Sequence, residues 1–233
     1  MKRIPLIIDT DPGIDDAVAI ALALYSDDID VRLITTVSGN VGIEATTTNA
    51  LKLLAYFGKD VPVARGASEP LIRAAQDASD IHGATGMEGF DFPEPKRELL
   101  MERNAIDAMR DVLMKSEEPI TIMPIGPLTN IALLLKAYPE VKARIERIVL
   151  MGGSVTRGNK GVMAEFNIYV DPEAAKIVLA SGVPIVMATL DAGLGTAIPP
   201  EKTAQLKDMG KVGLMAHDLF QRYRKRSFGT GLK

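Results

Sequence analysis

Short apolar runs alternate with segments of helical periodicity along most of the chain. The runs that predict β-strands are continuous and rich in β-branched residues, and they cover residues 4–8, 31–37, 61–63, 120–125, 148–151 and 185–190. The segments that predict helices cover residues 16–25, 45–57, 104–115, 128–137, 212–226 and a stretch from the N-cap Asp171 to Gly182. Strands that are apolar on both faces and separated by helices are typical of a parallel sheet. We therefore predict an α/β fold with a mostly parallel central sheet, flanked by helices on both faces.

A long segment between two predicted elements has no clear periodicity. It runs from residue 65 to residue 103 and contains Ile81-His82-Gly83. A connection of this length in a compact domain is more often functional than idle. Because the chain shows no internal repeat and no linker composition, we expect residues 1–233 to form a single domain.

Polar residues follow several of the predicted strands. They are Asp9 and Asp11, Ser38-Gly39-Asn40, Gly126-Pro127-Leu128-Thr129-Asn130, Gly152-Gly153 and Asp191. In parallel α/β sheets the ligand site lies beyond the carboxyl ends of the strands. We therefore expect the functional residues to come from these positions.

Composition and charge narrow the class of protein. The 233 residues are 47% hydrophobic and 24% charged, which suits a globular chain with a sizeable core. Lysine and arginine number 27 against 30 acidic residues, and the net charge of −3 gives no overall footprint for nucleic acid. Cysteine is absent, which removes disulfides, zinc–thiolate sites and cysteine nucleophiles. The N-terminal apolar run is too short for a signal peptide, and no stretch reaches the ~20 residues of a membrane helix, so we expect a cytoplasmic protein without membrane contact.

Four carboxylates lie within eight residues at the end of the first predicted strand, in Asp9-Thr10-Asp11-Pro12-Gly13-Ile14-Asp15-Asp16. Asp9 and Asp11 share one side of an extended chain, and Asp15 and Asp16 fall near the first turn of the next helix. Helix capping and the helix dipole would explain either of the last two, but not all four. Because packed like charges repel unless a cation neutralises them, the cluster favours a metal site. Carboxylates without His or Cys nearby favour Ca²⁺ or Mg²⁺ over zinc.

This stretch, extended to Ala17, resembles the N-terminal signature of the inosine–uridine-preferring nucleoside hydrolases. Further matching motifs follow in order: Thr35-Thr36-Val37-Ser38-Gly39-Asn40, Ile81-His82-Gly83, Gly126-Pro127-Leu128-Thr129-Asn130-Ile131-Ala132, Val149-Leu150-Met151-Gly152-Gly153 and Ala164-Glu165-Phe166-Asn167. The likeness covers essentially the whole chain, which most resembles the bacterial non-specific ribonucleoside hydrolases of that family. The resemblance implies a nucleoside hydrolase-like domain with a Rossmann-like core, and a homodimer or homotetramer.

The resemblance also implies a reaction, the hydrolysis of the N-glycosidic bond of ribonucleosides to ribose and free base with Ca²⁺ as cofactor. In such enzymes the bond breaks through an oxocarbenium-like ribosyl cation, and Ca²⁺ lowers the pKa of its water and binds ribose hydroxyls. Asp11 matches the carboxylate that contacts the metal and takes the proton from water. Asp16 matches a bidentate metal ligand, and Thr129 matches the position whose backbone carbonyl binds the ion.

Other positions match residues that bind the substrate in the family. Those matched to ribose hydroxyls are Asp15, Asn40, Asn159, Glu165 and Asn167, and Met151 is matched to a position near the sugar. An isolated Asn in a loop is usually a turn former, so these residues are informative as a group. For Asn167 we predict that alanine weakens ribose binding with little loss of stability. His82 stays open between a contact that stabilises its loop and a contact to the base, and Phe166 is expected to pack in the core.

The chain departs from the family near its end. Family members continue beyond a Gly-Leu that matches Gly231-Leu232 and then carry a His-Asp pair, in which the Asp binds the metal and the His lies near the leaving base. His217-Asp218 precedes that Gly-Leu and lies within a helical pattern, so it is not expected to replace the pair. Tyr223 is a better candidate for a side chain that reaches the base, and packing in the core is the alternative for it. Either the protein is shortened, with weaker metal binding and impaired activity, or the natural protein has residues that this sequence lacks; the sequence leaves both open.

Two other functions stay open. A non-catalytic protein that binds ribose or nucleosides would keep the pocket without turnover, and release of reducing sugar from inosine or uridine separates it from a hydrolase. Asp9-Thr10-Asp11 is also similar to the Asp-x-Asp start of haloacid-dehalogenase phosphotransferases. That family carries Gly-Thr or Gly-Ser after the second Asp, where this chain has Pro12-Gly13-Ile14, so this likeness is the weaker one. The sequence does not set a preference for purine or pyrimidine bases.

Overall fold

The computed structural model describes residues 2–196 and 198–229. Its strands are β1 Ile4–Thr10, β2 Ile29–Thr36, β3 Val63–Arg65, β4 Ile120–Pro124, β5 Ile145–Met151 and β6 Ile185–Ala188. Its α-helices are α1 Ile14–Tyr25, α2 Ile43–Phe57, α3 Ser79–His82, α4 Ala105–Lys115, α5 Thr129–Ala137, α6 Phe166–Val170, α7 Pro172–Leu179, α8 Leu190–Gly195, α9 Pro200–Gln205 and α10 Gly210–Gly229. Short 3₁₀ helices cover Arg97–Leu99, Pro139–Arg144 and Leu206–Asp208. Gly231-Leu232, which marks the departure from the family, lies outside the described residues.

The strands form one six-stranded parallel sheet in the order β3-β2-β1-β4-β5-β6. The chain winds outward to β3 on one side and to β6 on the other, so the strand order reverses between β1 and β4. In open α/β sheets a binding crevice forms at such a reversal. Asp9 pairs with Thr35 of β2 and with Pro124 of β4, which places the acidic cluster at this point. The predicted α/β fold with a parallel sheet is confirmed.

Helices cover both faces of the sheet, as predicted. On one face α4, α5 and α7 pack on the strands, and Met109 and Val178 are among the buried residues of that core. On the other face α1, α2 and α10 form a second core, which includes Leu54. Ile7 and Ile8 of β1 belong to opposite cores, because successive residues of a strand point to opposite faces. The continuous apolar pattern of the strands therefore reflects burial on both sides.

The ends of the elements differ from the sequence prediction by a few residues. β1 extends two residues past Ile8, because its parallel pairing with β2 continues to the pair Thr10 and Thr36. α1 begins at Ile14, and the Asp16 carboxylate accepts the Gly13 N–H at 3.0 Å across the start of the helix. This hydrogen bond satisfies one of the N–H groups that a helix leaves free at its first turn.

The segment without periodicity carries little regular structure. Between β3 and α4 the described chain contains the four-residue helix α3 and the 3₁₀ turn Arg97–Leu99. α3 ends at His82, which is buried. This long connection therefore brings a histidine to the carboxyl edge of the sheet, although periodicity gave no sign of it. None of the described helices is both long and apolar enough to span a membrane.

Candidate active site

A cavity of about 240 Å³ opens at the carboxyl edge of the sheet. Its lining includes every side chain predicted to bind substrate, namely Asp15, Asn40, His82, Met151, Asn159, Glu165 and Asn167, together with Asp16. These residues come from the loops or helices after β1, β2, β3 and β5 and from the end of β5 itself. A larger hollow of about 620 Å³ lies beside it between α2 and α10, but it contains none of the residues of the acidic cluster. The smaller cavity is therefore the candidate active site.

Asp11 is fully buried beside the cavity, next to the cavity-lining Asn40, and is not itself part of the lining. Its Oδ2 accepts the Asn40 N–H at 2.6 Å, whereas its Oδ1 is buried without a hydrogen-bond partner among the described residues. A Cβ at Gly39 or Gly126 would collide with the Asp11 carboxylate. The backbones of the two loops that contain Gly39 and Gly126 thus pack directly against the Asp11 carboxylate, and its Oδ1 can still accept a ligand.

Asp16 is held beside Asp11 by hydrogen bonds to its two oxygens. Thr10 Oγ1 donates to Oδ1 at 2.7 Å, and the Gly13 N–H and Asn40 Nδ2 donate to Oδ2 at 3.0 and 3.3 Å. Asn40 Nδ2 also donates to the Asp11 backbone carbonyl at 3.1 Å. Asn40 therefore links the two acidic residues in addition to lining the cavity.

The electrostatics of this pair suit a bound cation. Burial, followed by repulsion from Asp16, raises the pKa of Asp11 well above its ordinary value. Burial and repulsion from Asp15 raise the pKa of Asp16 from 3.8 to about 7. Two buried carboxylates that repel one another gain stability when a divalent cation neutralises them. Within the described part of the chain, however, no three His, Cys, Asp or Glu residues form a metal-binding group, so side chains alone supply an incomplete ligand set.

Thr129 does not line the cavity. Its hydroxyl donates to Asp171 Oδ2 at 2.7 Å, at the first turn of α5. Ile125, at the end of β4, lines the cavity instead, and its carbonyl accepts a hydrogen bond from the cavity residue Asn167 at 3.1 Å. The carbonyl of Ile125 is thus a further main-chain oxygen at the cavity, and the role of the Thr129 carbonyl as a metal ligand stays a prediction. A backbone ligand carries no side-chain signature, so only a position after β4 indicates either group.

Asp9 lies behind the site and does not line it. Its Oδ1 accepts from Thr35 Oγ1 at 2.5 Å and from Asn130 Nδ2 at 2.7 Å, and its Oδ2 is buried without a partner among the described residues. Burial raises the pKa of Asp9 from 3.8 to about 7, against the opposing effect of those hydrogen bonds. The structure therefore places neither carboxylate of the i, i+2 pair Asp9 and Asp11 in the lining of the cavity.

The residues matched to ribose hydroxyls also organise the protein backbone. Glu165 accepts the N–H groups of Gly153 and Asn167 at 2.9 and 3.0 Å, and burial raises its pKa. Asn167 Nδ2 donates to the carbonyls of Ile125 and Met151 at 3.1 and 3.2 Å. Each of these side chains therefore already makes hydrogen bonds within the protein when no ligand is bound.

The far wall of the cavity is built by His82 and Tyr223, whose ring centroids are 6.2 Å apart. His82 Nδ1 accepts the Ile14 N–H at 3.3 Å, so this histidine stabilises its loop and also lines the cavity. His217 does not line the cavity; it contacts Asp218 at 2.8 Å on α10.

Several cavity residues were not predicted from the sequence. They are Ala78, Asp80, Ile81, Ile125, Lys160 and Leu190. Phe166, expected in the core, forms a small buried cluster with Ala78 and Val170 and also borders the cavity. Lys160 directly follows the predicted Asn159, and Leu190 follows β6. Their positions, beside a matched residue and after a strand end, were the sequence features that could have indicated them.

An acidic cavity at the switch point of a parallel α/β sheet is typical of enzymes that act on small polar substrates. Residues 6–231 match the family model of inosine-uridine preferring nucleoside hydrolase, and the chain belongs to this family of metal-dependent N-ribosyl hydrolases. It is 52% identical over 231 residues to the non-specific ribonucleoside hydrolase RihC of Klebsiella pneumoniae, covering 99% of this chain and 76% of that protein.

Solved structures give the same result. The purine-preferring ribonucleoside hydrolase from Gardnerella vaginalis superposes with a TM-score of 0.91 at 36% identity, over 97% of this chain and 73% of that one. A plant nucleoside hydrolase superposes with a TM-score of 0.89 at 32% identity, over 98% of this chain and 73% of that one. The family resemblance seen in the sequence is confirmed.

Proposed function

We propose that this chain hydrolyses the N-glycosidic bond of ribonucleosides to ribose and free base in a Ca²⁺-dependent reaction. The observation that carries the proposal is the pair Asp11 and Asp16, buried and bridged by Asn40 at the edge of a cavity that Asp16 and Asn40 line. The same cavity presents carboxylate and amide groups at Asp15, Glu165 and Asn167. Such groups suit the three hydroxyls of a ribose ring.

The donor set fits a hard divalent cation. The carboxylates of Asp11 and Asp16 and the backbone carbonyl of Thr129 would hold it, and the unpartnered Oδ1 of Asp11 supports this assignment. All are oxygen donors, which Ca²⁺ and Mg²⁺ prefer, and the larger Ca²⁺ tolerates water in the remaining positions. A bound cation supplies positive charge that promotes deprotonation of water and attracts ribose hydroxyls.

The residues of the chain would then accept the proton of the attacking water and stabilise the charge that develops on the sugar. Asp11 accepts the proton of the attacking water, a role that its buried carboxylate and unpartnered Oδ1 support. The water oxygen bonds to the anomeric carbon, and the electron pair of the broken bond leaves with the base nitrogen, which takes a proton from solvent. Asp15 and Glu165 place negative charge near the sugar, where positive charge develops in the transition state.

The substrate class follows from the cavity and from the relatives. Asp15, Asp16, Asp80 and Glu165 line the cavity against Lys160, so the excess of negative charge favours a neutral nucleoside over a nucleotide. The Klebsiella relative is named non-specific, whereas the Gardnerella enzyme is named purine-preferring. We propose that both purine and pyrimidine nucleosides are accepted. We also propose a cytoplasmic homodimer or homotetramer, as in the family that the sequence resembles.

The test of function measures reducing sugar released from inosine and from uridine. The protein is first stripped with EDTA and then assayed with CaCl₂, with MgCl₂ and without metal. We expect release that depends on Ca²⁺ and is lost in Asp11→Asn. A calorimetric titration with ribose runs in parallel, because binding without release would establish the non-catalytic alternative. Hydrolysis of an aryl phosphate in place of nucleosides would support the phosphotransferase instead.

A further inference from the structure

One wall of the cavity is made by two segments distant in sequence. His82 comes from α3, in the long connection between β3 and α4, and Tyr223 comes from α10. Their rings lie 6.2 Å apart at an angle of 52°. His82 is held on one side by the Ile14 N–H, and contacts between the two segments set where Tyr223 lies relative to it.

One carboxylate joins these segments. Glu88 Oε1 accepts the Ala84 N–H at 2.8 Å, and Glu88 Oε2 accepts from Arg222 Nη2 at 3.2 Å. Ala84 lies two residues after His82, and Arg222 directly precedes Tyr223. Glu88 therefore connects the backbone next to one ring with the side chain next to the other.

The packing around Glu88 leaves little freedom. Gly83 has φ +88°, and a Cβ there would collide with the Glu88 side chain. Gly89 has φ +118°, and a Cβ there would lie 2.8 Å from Arg222 Cβ. Glycine is needed on both sides because both positions have left-handed backbone and close contacts. The loop is thus shaped around the carboxylate and the arginine that binds it.

We propose that Glu88 is a positioning residue that fixes the separation of His82 and Tyr223 and so sets affinity for the nucleobase rather than for ribose. The proposal rests on the proposed function of the cavity. The side chains of Glu88 and Arg222 are 30% and 42% exposed, so their ion pair alone contributes little to stability. Glu88 acts on the segments of His82 and Tyr223 because it connects them. Ribose-facing residues such as Asp15 and Asn167 lie on other elements, so ribose affinity should not depend on Glu88.

The kinetic test compares Glu88→Ala, Glu88→Gln and Arg222→Lys with Asp60→Ala. The control removes a surface ion pair in which the Asp60 carboxylate lies 2.6 Å from Lys96 Nζ. Asp60 precedes β3 and therefore lies at the opposite edge of the sheet from the cavity. For Glu88→Ala we expect KM for inosine and uridine to rise about threefold to tenfold, with the inhibition constant of ribose unchanged. Glu88→Gln should give a smaller rise because it still accepts the Ala84 N–H. Arg222→Lys and the control should remain near wild type.

A second readout does not depend on activity. The chain has two histidines, so its ¹H NMR spectrum contains two imidazole Hε1 signals, and His217→Asn assigns them. Because the Tyr223 ring shifts nearby protons, Glu88→Ala should move the His82 signal and leave that of His217 in place. Asp60→Ala should move neither signal.

The outcomes separate this proposal from the proposed function. A wild-type chain that releases no ribose from any nucleoside contradicts the function, and the NMR experiment then decides the role of Glu88 alone. An active wild type whose KM and His82 signal are unchanged in Glu88→Ala overturns the positioning role. An equal rise in KM and in the ribose inhibition constant also overturns it, because it reports general loosening. If Glu88→Ala does not fold, the two other variants test the proposal: KM should rise slightly in Glu88→Gln and stay near wild type in Arg222→Lys.

Discussion

The two sides of the cavity are built in different ways. On the side proposed for metal and ribose, Asp11 and Asp16 are buried at the end of the central strand β1, and hydrogen bonds from Thr10, Gly13 and Asn40 hold them. On the side proposed for the base, His82 and Tyr223 belong to a loop helix and to α10, joined through the half-exposed Glu88 and Arg222. The first side is fixed by the sheet, and the second is fixed by contacts between peripheral segments.

The difference assigns separate tasks to the two sides. Bond cleavage needs groups held in a defined geometry, and buried networks with satisfied hydrogen bonds provide that. A leaving base varies in size between purine and pyrimidine, and the ring separation proposed to depend on Glu88 would act on the binding of the base rather than on bond cleavage. We therefore expect substitutions on the ribose side to change turnover, and those on the base side to change substrate preference.

The largest effect is expected for Asp11→Asn. It removes the proton acceptor and a metal ligand, so turnover with inosine should fall by at least the roughly 10²–10⁴-fold attributed to general base catalysis. Reducing-sugar release measures the fall. Melting in EDTA should be no lower than in wild type, because the substitution removes a buried charge. Activity within tenfold of wild type would remove Asp11 from the mechanism.

The next effect is expected for Asn167→Ala. From the sequence alone this substitution was predicted to weaken ribose binding with little loss of stability. The structure changes the second half of that prediction, because Asn167 Nδ2 satisfies the carbonyls of Ile125 and Met151. Leaving them unpaired should cost about 2 kcal/mol, a fall in Tm of roughly 4–8 °C. Thermal melting with and without ribose measures both parts, and an unchanged Tm would return Asn167 to a role in ligand binding alone.

Metal removal should make stability depend on pH. Without metal, Asp9 and Asp16 have pKa values raised from 3.8 to about 7, so the folded chain retains protons that the unfolded chain releases. Their contribution to stability is present below about pH 4 and is lost as the pH rises to about 7. In EDTA we therefore expect Tm to fall between pH 5 and pH 8.

Added Ca²⁺ should raise Tm more at pH 8 than at pH 5, because protons compete with the cation. At 100 times Kd a ligand stabilises by about 2.7 kcal/mol. Asp16→Asn serves as the control, since it should flatten the pH dependence in EDTA. A Tm in EDTA that rises over the same range would contradict the burial assigned to these carboxylates.

The smallest effect is expected for Asp191→Asn. Asp191 accepts the N–H groups of Val155 and Thr156 at 2.7 and 3.0 Å and so ties down the loop that leads to Asn159. A hydrogen bond from the Thr156 hydroxyl and those from the backbone lower the pKa of Asp191 to about 2. We expect a rise of about twofold in KM for nucleosides. The contribution of Asp191 to stability is present above about pH 4 and is lost towards pH 2, so acid melting should separate the variant from wild type only above that range.

Much of the fold was predictable because local patterns reported it. Continuous apolar strands indicated burial on both faces, and Asn104 and Asp171 marked helix starts that the structure contains. The acidic cluster was also visible, since four carboxylates after one strand need a physical reason. The features that could be predicted were therefore those that side chains close together in the sequence indicate.

The rest depended on information that side chains do not encode locally. Thr129 was predicted as a carbonyl ligand from a motif, and Ile125, four positions earlier, brings a further main-chain carbonyl to the cavity without any side-chain signature. The partners of Asn167 are main-chain atoms brought close by tertiary packing. Glu88 had no motif at all, because its importance comes from a contact 134 residues away along the chain.

The position of β1 has a consequence for how this protein opens. β1 pairs with β2 on one side and with β4 on the other, so the amides that lead to Asp11 lie in the middle of the sheet. Amides of central strands exchange with solvent only when the whole domain unfolds, whereas those of peripheral segments exchange through local opening. Hydrogen exchange should therefore divide one cavity into two kinetic classes. The amides before Asp11 would follow global unfolding, and those around Ala84 would exchange through an opening that leaves the acidic pair in place.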